Sequence, residues 1–103
     1  MAILNTVLTT TPTAVYTSSG STVVNLLYFC NTSGTTKTVN LYLVPSAAGA
    51  VYANNQVYSN YAITSSDTLV VASEKMILSN GDAIYANANA NTSITTTVGY
   101  ITL

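Results

Sequence analysis

The sequence predicts an all-β domain, an antiparallel two-sheet β-sandwich of Ig-like or jelly-roll type with about eight strands. Three observations carry this prediction. β-branched residues and tyrosine dominate the chain, and both favour strands. Apolar and polar residues alternate with period two, and turn-forming residues recur every 8–12 positions. No helical period of useful length is present, and 103 residues predict one domain spanning 1–103.

Each predicted strand is bounded by residues that break or turn a strand. Pro12 cannot donate to a ladder and predicts a bend or an edge, and Pro45 ends the fourth strand. Ser33-Gly34 and Asn80-Gly81 predict hairpins, because these residues tolerate turn conformations. The predicted strands are Ile3–Thr9, Ala14–Thr17, Thr22–Asn31, Thr36–Val44, Gln56–Ile63, Thr68–Val71, Ala83–Asn91 and Ser93–Leu103. Segment 72–78 fits one helical turn or a further strand, and segment 46–55 is predicted to be an exposed loop.

The central strands carry the predicted core. In Thr22–Asn31, Val24, Leu26, Tyr28 and Cys30 fall on one face, and Val23, Leu27 and Phe29 on the other. Apolar residues on both faces predict a central strand covered on both sides. Cys30, the single cysteine, is predicted to be a small buried hydrophobe. In segment 86–91, Ala-Asn alternation places small side chains on one face, which predicts the close approach of another sheet or chain.

Charge is the most unusual feature of the composition. Only 5% of residues are charged, against about 25% in typical proteins. The five charged residues are Lys37, Asp67, Glu74, Lys75 and Asp82. A net charge of −1 favours association, and neighbouring subunits cover such a surface without desolvating many charges. Two cations cannot neutralise many phosphates, so a nucleic-acid partner is not expected.

The residue types also narrow the chemistry. Histidine is absent, which excludes Ser-His-Asp and Cys-His catalysis and imidazole metal sites. The three carboxylates lie beside turn signals, where they are expected to bond the turn backbone. No enzyme activity, cofactor or metal is therefore expected. The chain shows neither a signal peptide nor an 18-residue apolar span, so a cytoplasmically made protein without a membrane partner is expected.

The eight tyrosines divide into core and surface candidates. Aromatic side chains often anchor protein interfaces. The candidate interface residues are Tyr42, Tyr52, Tyr58 and Tyr85.

Several turn and strand patterns resemble small virion structural proteins of tailed bacteriophages, including phages of cyanobacteria and other marine bacteria. The segments that carry this resemblance are Asn31–Gly34, Val39–Ser46, Ile63–Thr68 and Glu74–Ala86. The resemblance covers roughly residues 22–103 and includes a strand ending in Val-Pro-Ser, an Asp-Thr turn and a Gly-Asp turn. It implies a β-sandwich carried in the virion and brings no catalytic residue.

The resemblance implies, first, a capsid decoration (cement) protein that stabilises the shell. Its partners would be itself, as a homotrimer, and the major capsid protein. A tail, baseplate or neck component with tail-protein partners is the alternative. A carbohydrate-binding or host-adhesion module is the alternative of another class.

Overall fold

The computed structural model of the chain describes residues 2–47, 51, 55–71 and 76–103. Within these residues the chain forms nine strands in two antiparallel sheets. The strands are β1 (Ala2–Val7), β2 (Thr13–Thr17), β3 (Thr22–Asn31), β4 (Lys37–Val44), β5 (Gln56–Ile63), β6 (Thr68–Val70), β7 (Met76–Leu78), β8 (Ala83–Ala88) and β9 (Ile94–Thr102). The all-β prediction is confirmed, and the strand bounds agree closely with those expected from alternation.

The strands divide between a five-stranded sheet, sheet A, and a four-stranded sheet, sheet B. Sheet A has the order β1-β9-β3-β6, with β7 also paired to β3, and sheet B has the order β2-β8-β4-β5. β7 pairs with the start of β3 and β6 with its end, so the two short strands share one position. The pairing runs first strand with last, second with next-to-last, and so inward to β4 with β5. This is the strand order of a jelly roll, which decides between the two predicted sandwich types.

This topology corrects two predicted hairpins. β3 lies in sheet A and β4 in sheet B, so Ser33-Gly34 lies in a connection that crosses between the sheets. Asn80-Gly81 likewise joins β7 of sheet A to β8 of sheet B. Gly81 does adopt a positive φ of 88°, and Asp82 N–H donates to Ser79 O at 3.0 Å. The turn chemistry was predicted correctly, but it does not determine which sheet the next strand joins.

The core lies between the sheets and is almost entirely aliphatic. Its fully buried side chains include Leu8, Leu27, Phe29, Leu41, Ile84, Ile94 and Val98. Ala86 and Ala88 of β8 are also buried, so the predicted close approach over this alanine face is made by sheet A of the same chain. Tyr16 and Tyr100 add a tilted ring contact, with centroids 4.5 Å apart.

A β-bulge in β3 changes which residues reach the core. Val24 pairs with Tyr100 and Leu26 with Gly99, so Asn25 is an extra residue on the β3 side. Beyond the bulge the alternation is shifted by one, because an inserted residue reverses the faces of all that follow. Val24, Leu27 and Phe29 therefore share the core face, whereas Leu26 is half-buried on the opposite face. The predicted grouping of Val24 with Leu26, Tyr28 and Cys30 is wrong for this reason.

Both ends of β3 are fixed by buried polar side chains. Asn31 is 0% exposed, and its Nδ2 donates to Thr35 O at 2.9 Å and to Ile63 O at 2.8 Å. Its Oδ1 accepts from Ser33 N–H at 3.0 Å, and its backbone N–H donates to Asp67 O at 2.9 Å. Asn31 thus joins the β3–β4 connection to the β5–β6 connection.

Thr22, also 0% exposed, holds the opposite end of β3. Tyr16 O–H donates to Thr22 Oγ1 at 3.1 Å, and Ser18 Oγ lies 2.9 Å from the same atom. Ser18 N–H donates to Asp82 O at 2.8 Å, and Gly81 N–H donates back to Ser18 O at 2.9 Å. The β2–β3 and β7–β8 connections are therefore joined at this end.

The bulge can be tested with two adjacent leucines. Leu27→Ala should lower the free energy of unfolding by about 3 kcal/mol, because it leaves a cavity in the closed core. Leu26→Ala should cost only about 1 kcal/mol, because its side chain is half-buried on the outer side of the sheet. Urea unfolding followed by circular dichroism measures both. Equal losses, or a larger loss for Leu26→Ala, would contradict the bulged register.

The Asn31 contacts predict a second stability difference. Asn31→Ala should destabilise the chain by about 2–3 kcal/mol, because it removes the buried donor to Ile63 O and the acceptor of Ser33 N–H. Asn89→Ala is the matched control, since Asn89 is exposed and its Oδ1 accepts from Thr38 N–H alone at 3.1 Å. It should cost about 1 kcal/mol or less. Thermal melts of the two variants side by side provide the measurement.

Candidate functional site

The described carboxylates are used by turns. Asp82 Oδ1 accepts from Ser46 N–H and its Oδ2 from Ser79 N–H, each at 3.0 Å. Asp67 Oδ1 accepts from Thr68 N–H at 2.8 Å. Both therefore act as predicted, as backbone acceptors, while Glu74 lies outside the described residues. No group of three His, Cys, Asp or Glu side chains that could hold a metal ion occurs in the described part of the chain.

The two pockets formed by described residues are small for a ligand site. The larger pocket, about 210 Å³, lies at one end of the sandwich beside Pro45, Leu78 and Asp82. A second, of about 100 Å³, lies against the β5–β6 connection near Ile63 and Asp67. Typical sites for small molecules occupy about 300–1,000 Å³. The outer faces of the two sheets are therefore the better candidates for a functional surface.

The outer face of sheet A, hereafter face A, is assigned from the strand register. Directly paired residues project to the same side of a sheet, and Val98 and Thr96 project into the core. Their neighbours along β9 and the partners of those neighbours therefore project outward. Face A consists of Ile3, Asn5, Val7, Val23, Leu26, Tyr28, Cys30, Thr68, Val70, Ile77, Thr95, Thr97, Gly99 and Ile101.

Face A is open and uncharged, and half of its residues are aliphatic. None of its described side chains is charged. Five aliphatic residues on it are strongly exposed: Ile77 at 74%, Ile3 at 61%, Val70 at 57%, Val7 at 52% and Ile101 at 44%. At ~3.4 Å per residue and ~4.8 Å between strands, face A covers roughly 400 Å². Asn5, Thr68, Thr95 and Thr97 are polar, so the apolar part is roughly half of this area. Exposed apolar patches on soluble proteins mark interaction surfaces.

The β3 bulge helps to form face A. By shifting the alternation it turns Leu26, Tyr28 and Cys30 outward, beside Ile101, Thr97 and Thr95 of β9. Cys30 is half-buried and free, so its predicted place in the core is wrong. Of the two predicted covers of β3, sheet B supplies the one on the core side. The outer side of β3 belongs to face A.

The outer face of sheet B, face B, has different chemistry. On neighbouring strands β4 and β8, Asn40 lies opposite Asn87, and Tyr42 opposite Tyr85. Gln56 pairs with Tyr42 and donates through Nε2 to Asn40 Oδ1 at 3.0 Å. Amides and phenol rings therefore occupy the positions that aliphatic side chains occupy on face A.

The predicted interface tyrosines do not form one cluster. Tyr42 and Tyr85 are half-buried and directly opposite each other on face B. Tyr58 lies on edge strand β5, packs against the core and contacts the Tyr61 ring at 5.2 Å between centroids. Tyr52 lies outside the described residues.

Sequence reasoning missed face A because its residues are spread over five strands. The one local signal lies in β1, where Ile3 and Val7 alternate with Leu4 and Leu8, so that both faces read as apolar. Only the register shows that Leu8 enters the core while Ile3 and Val7 stay exposed.

Comparison with family models, with curated proteins and with solved structures finds no match to this chain. Among its described residues there is no helix long and apolar enough to cross a membrane. The geometry of the two faces is therefore the basis on which a function is proposed.

The assignment of face A predicts opposite effects at two neighbouring residues. Ile77→Lys should leave the protein folded, because a cation at this exposed position remains in water. Leu78→Lys should unfold it, because Leu78 is buried and an unpaired charge there is costly. Circular dichroism and a thermal melt distinguish the two. A folded Leu78→Lys protein would contradict the orientation of β7.

Proposed function

We propose that the chain is a structural subunit of a tailed-bacteriophage virion, and first a capsid decoration (cement) protein. The observation that carries this proposal is face A, an aliphatic sheet surface with no charged side chain among its described residues. The jelly-roll strand order supports it, because this fold is used in viral capsid domains. The resemblance of the turn and strand patterns to phage virion proteins supports it as well.

The mechanism is passive adhesion. Face A packs against an apolar surface on the shell, on the major capsid protein, or on a sister subunit. About half of face A is apolar, so burying ~200 Å² of apolar surface at ~25 cal/mol per Å² yields about 5 kcal/mol before costs. Association itself costs about 4–15 kcal/mol, so one such contact alone is weak.

Weak single contacts suit a decoration protein. Many linked copies on one shell multiply modest contacts by effective concentration. Binding only the assembled shell stabilises that state by mass action. No catalytic group is needed for this role, and turn contacts already occupy the two described carboxylates.

The first test is the number of copies in purified particles of the phage that encodes the chain. Quantitative mass spectrometry should find hundreds of copies per particle for a capsid decoration protein. A handful of copies would instead indicate a tail, baseplate or neck component. Complete absence from the particle would overturn the virion proposal.

A second test compares the two faces by particle incorporation. The double variant Val70→Lys/Ile77→Lys should reduce incorporation at least tenfold, because it places two charges on face A that must be desolvated. Tyr42→Ala/Tyr85→Ala is the matched variant for face B and should reduce it less. Loss only with the tyrosine variant would move the docking surface to face B. Unchanged incorporation of both would exclude both faces.

Face B favours a second candidate, a carbohydrate-binding or host-adhesion module. Paired Tyr42–Tyr85 offers ring surfaces and phenol hydroxyl groups to a sugar. A glycan-binding assay on the purified chain distinguishes this candidate. Saturable binding that Tyr42→Ala abolishes would support adhesion, whereas the cement proposal predicts no binding.

A further inference from the structure

The described edges of the two sheets are not equally protected against pairing with another chain. β5 is interrupted by two register shifts, and Asn60 within it has a φ of 51°. β2 has five residues, carries a bulge at Val15 and follows Pro12. β6 and β7 have three residues each. Short strands, bulges and proline are the usual devices that prevent edge-to-edge pairing.

β1 has none of these devices. It has six residues, and its register with β9 is unbroken from Ala2 opposite Tyr100 to Val7 opposite Thr95. It contains no charged residue, proline or glycine. A regular, uncharged edge strand of this kind is a template for an added strand.

The backbone groups on the free side of β1 can be identified. Leu8 N–H donates to Ile94 O at 2.8 Å, and Leu8 O accepts from Thr92 N–H at 3.2 Å, so the backbone of Leu8 is directed toward the β9 side. Backbone groups in a strand alternate between its two sides. Those of Ile3, Asn5 and Val7 are therefore directed away from β9, toward the side on which no described strand pairs with β1.

We propose that β1 is a strand-addition site that pairs antiparallel with β1 of a second copy, about a two-fold axis at Asn5. Ile3 of each copy then lies opposite Val7 of the other, and the two Asn5 residues lie opposite each other. All the outward-directed backbone groups find partners, about six hydrogen bonds in total. The proposal rests on the proposed assembly role, and it names the edge through which copies join.

A second copy fits this edge because β1 is nearly symmetric about Asn5. Ile3 and Val7, both β-branched and aliphatic, lie two positions away from Asn5 on either side. Antiparallel pairing therefore places Ile3 of one copy beside Val7 of the other on face A. No charges repel, and a two-fold contact of a surface with itself is the commonest form of association. The two copies of face A become one continuous surface of roughly 800 Å², twice the single face.

The contact is expected to be weak in solution. A single six-residue edge buries less than the ~1,000 Å² typical of stable interfaces. We therefore expect reversible dimers at high concentration, with a mass approaching twice 10.7 kDa. A two-fold contact joins copies in pairs, so it differs from the homotrimer that the resemblance implies.

The experiment compares two substitutions at the same residue by sedimentation velocity of the purified chain, from ~10 µM to ~1 mM, a range that spans weak association. Asn5→Pro removes the outward N–H without removing a β1–β9 hydrogen bond, and proline is tolerated where an edge N–H faces solvent. Asn5→Thr keeps the N–H. Both lose the bond from Thr97 Oγ1 to Asn5 Oδ1 at 3.1 Å, so that loss cancels.

Wild type and Asn5→Thr should dimerise alike, whereas Asn5→Pro should weaken dimerisation at least tenfold. A monomer at every concentration, a trimer, or an equally dimeric and folded Asn5→Pro protein would overturn the proposal. Circular dichroism establishes whether each variant is folded.

A cross-link keeps the test decisive if Asn5→Pro does not fold. In a Cys30→Ser background, Asn5→Cys should form a disulfide-linked dimer on mild oxidation. Opposed residues in a hydrogen-bonded pair have Cα atoms ~5.5 Å apart, within disulfide range. Thr17→Cys, exposed on β2, is the control. Cross-linking of Asn5→Cys no faster than the control would overturn the proposal.

The two proposals fail in different ways. Loss of the dimer with normal incorporation into particles would overturn the β1 edge alone. An intact dimer in a chain absent from particles would overturn the virion role alone.

Discussion

The hydrogen bonds made by Asn31 address the central constraint of this fold. Most connections between described strands pass from one sheet to the other, so their backbone groups leave the ladders that would otherwise satisfy them. The Asn31 side chain supplies donors to Thr35 O and Ile63 O and an acceptor to Ser33 N–H. At the opposite end of β3, Ser18 Oγ donates to Gly20 O at 2.7 Å, and the Ser18 backbone exchanges hydrogen bonds with Gly81 N–H and Asp82 O. With both ends held, β3 and its bulge fix the register of sheet A, and the register fixes both the core and face A.

The two sheets share one core but present different chemistry to the outside. Face A is aliphatic and exposes Ile77, Val70 and Ile3, whereas face B presents paired asparagines and tyrosines. In a protein with few charges, hydrogen-bonding side chains keep face B compatible with water. Covering the aliphatic side chains of face A removes them from water and lowers the free energy. This asymmetry gives the molecule a direction. One side is suited to contact protein, and the other is suited to solvent or to a polar partner.

The edge strands of the two sheets also differ, since β5 is irregular and β1 is regular. At β5, Asn40 Oδ1 of the inner neighbour β4 accepts from Asn60 N–H at 2.8 Å and from Gln56 Nε2, which bridges the irregular stretch of the β4–β5 pairing. The two register shifts and the positive φ of Asn60 make the backbone of β5 irregular, so this edge lacks a regular row of donors and acceptors. β1 keeps a regular row beside the aliphatic side chains of Ile3 and Val7. β1 therefore contributes both to face A and to the unprotected edge of sheet A. Strand pairing at this edge would join face A of one copy to face A of the next.

Period-two alternation and turn-forming residues by themselves determined the all-β class, nearly all strand positions and the backbone roles of Asp67 and Asp82, because these are properties of neighbouring residues. The same local signals could not distinguish a hairpin from a crossing at Asn80-Gly81, since a turn sets dihedral angles and leaves the choice of sheet to distant pairing. Nor could they locate the bulge at Asn25, which moved Leu26 and Cys30 to the outside. The described interface tyrosines are divided for a different reason: the β4–β5 register sets Tyr58 opposite buried Leu41, whereas Tyr42 and Tyr85 lie on face B. Face A and the free edge of β1 exist only once five strands are set in register, and register depends on contacts between residues far apart in the chain.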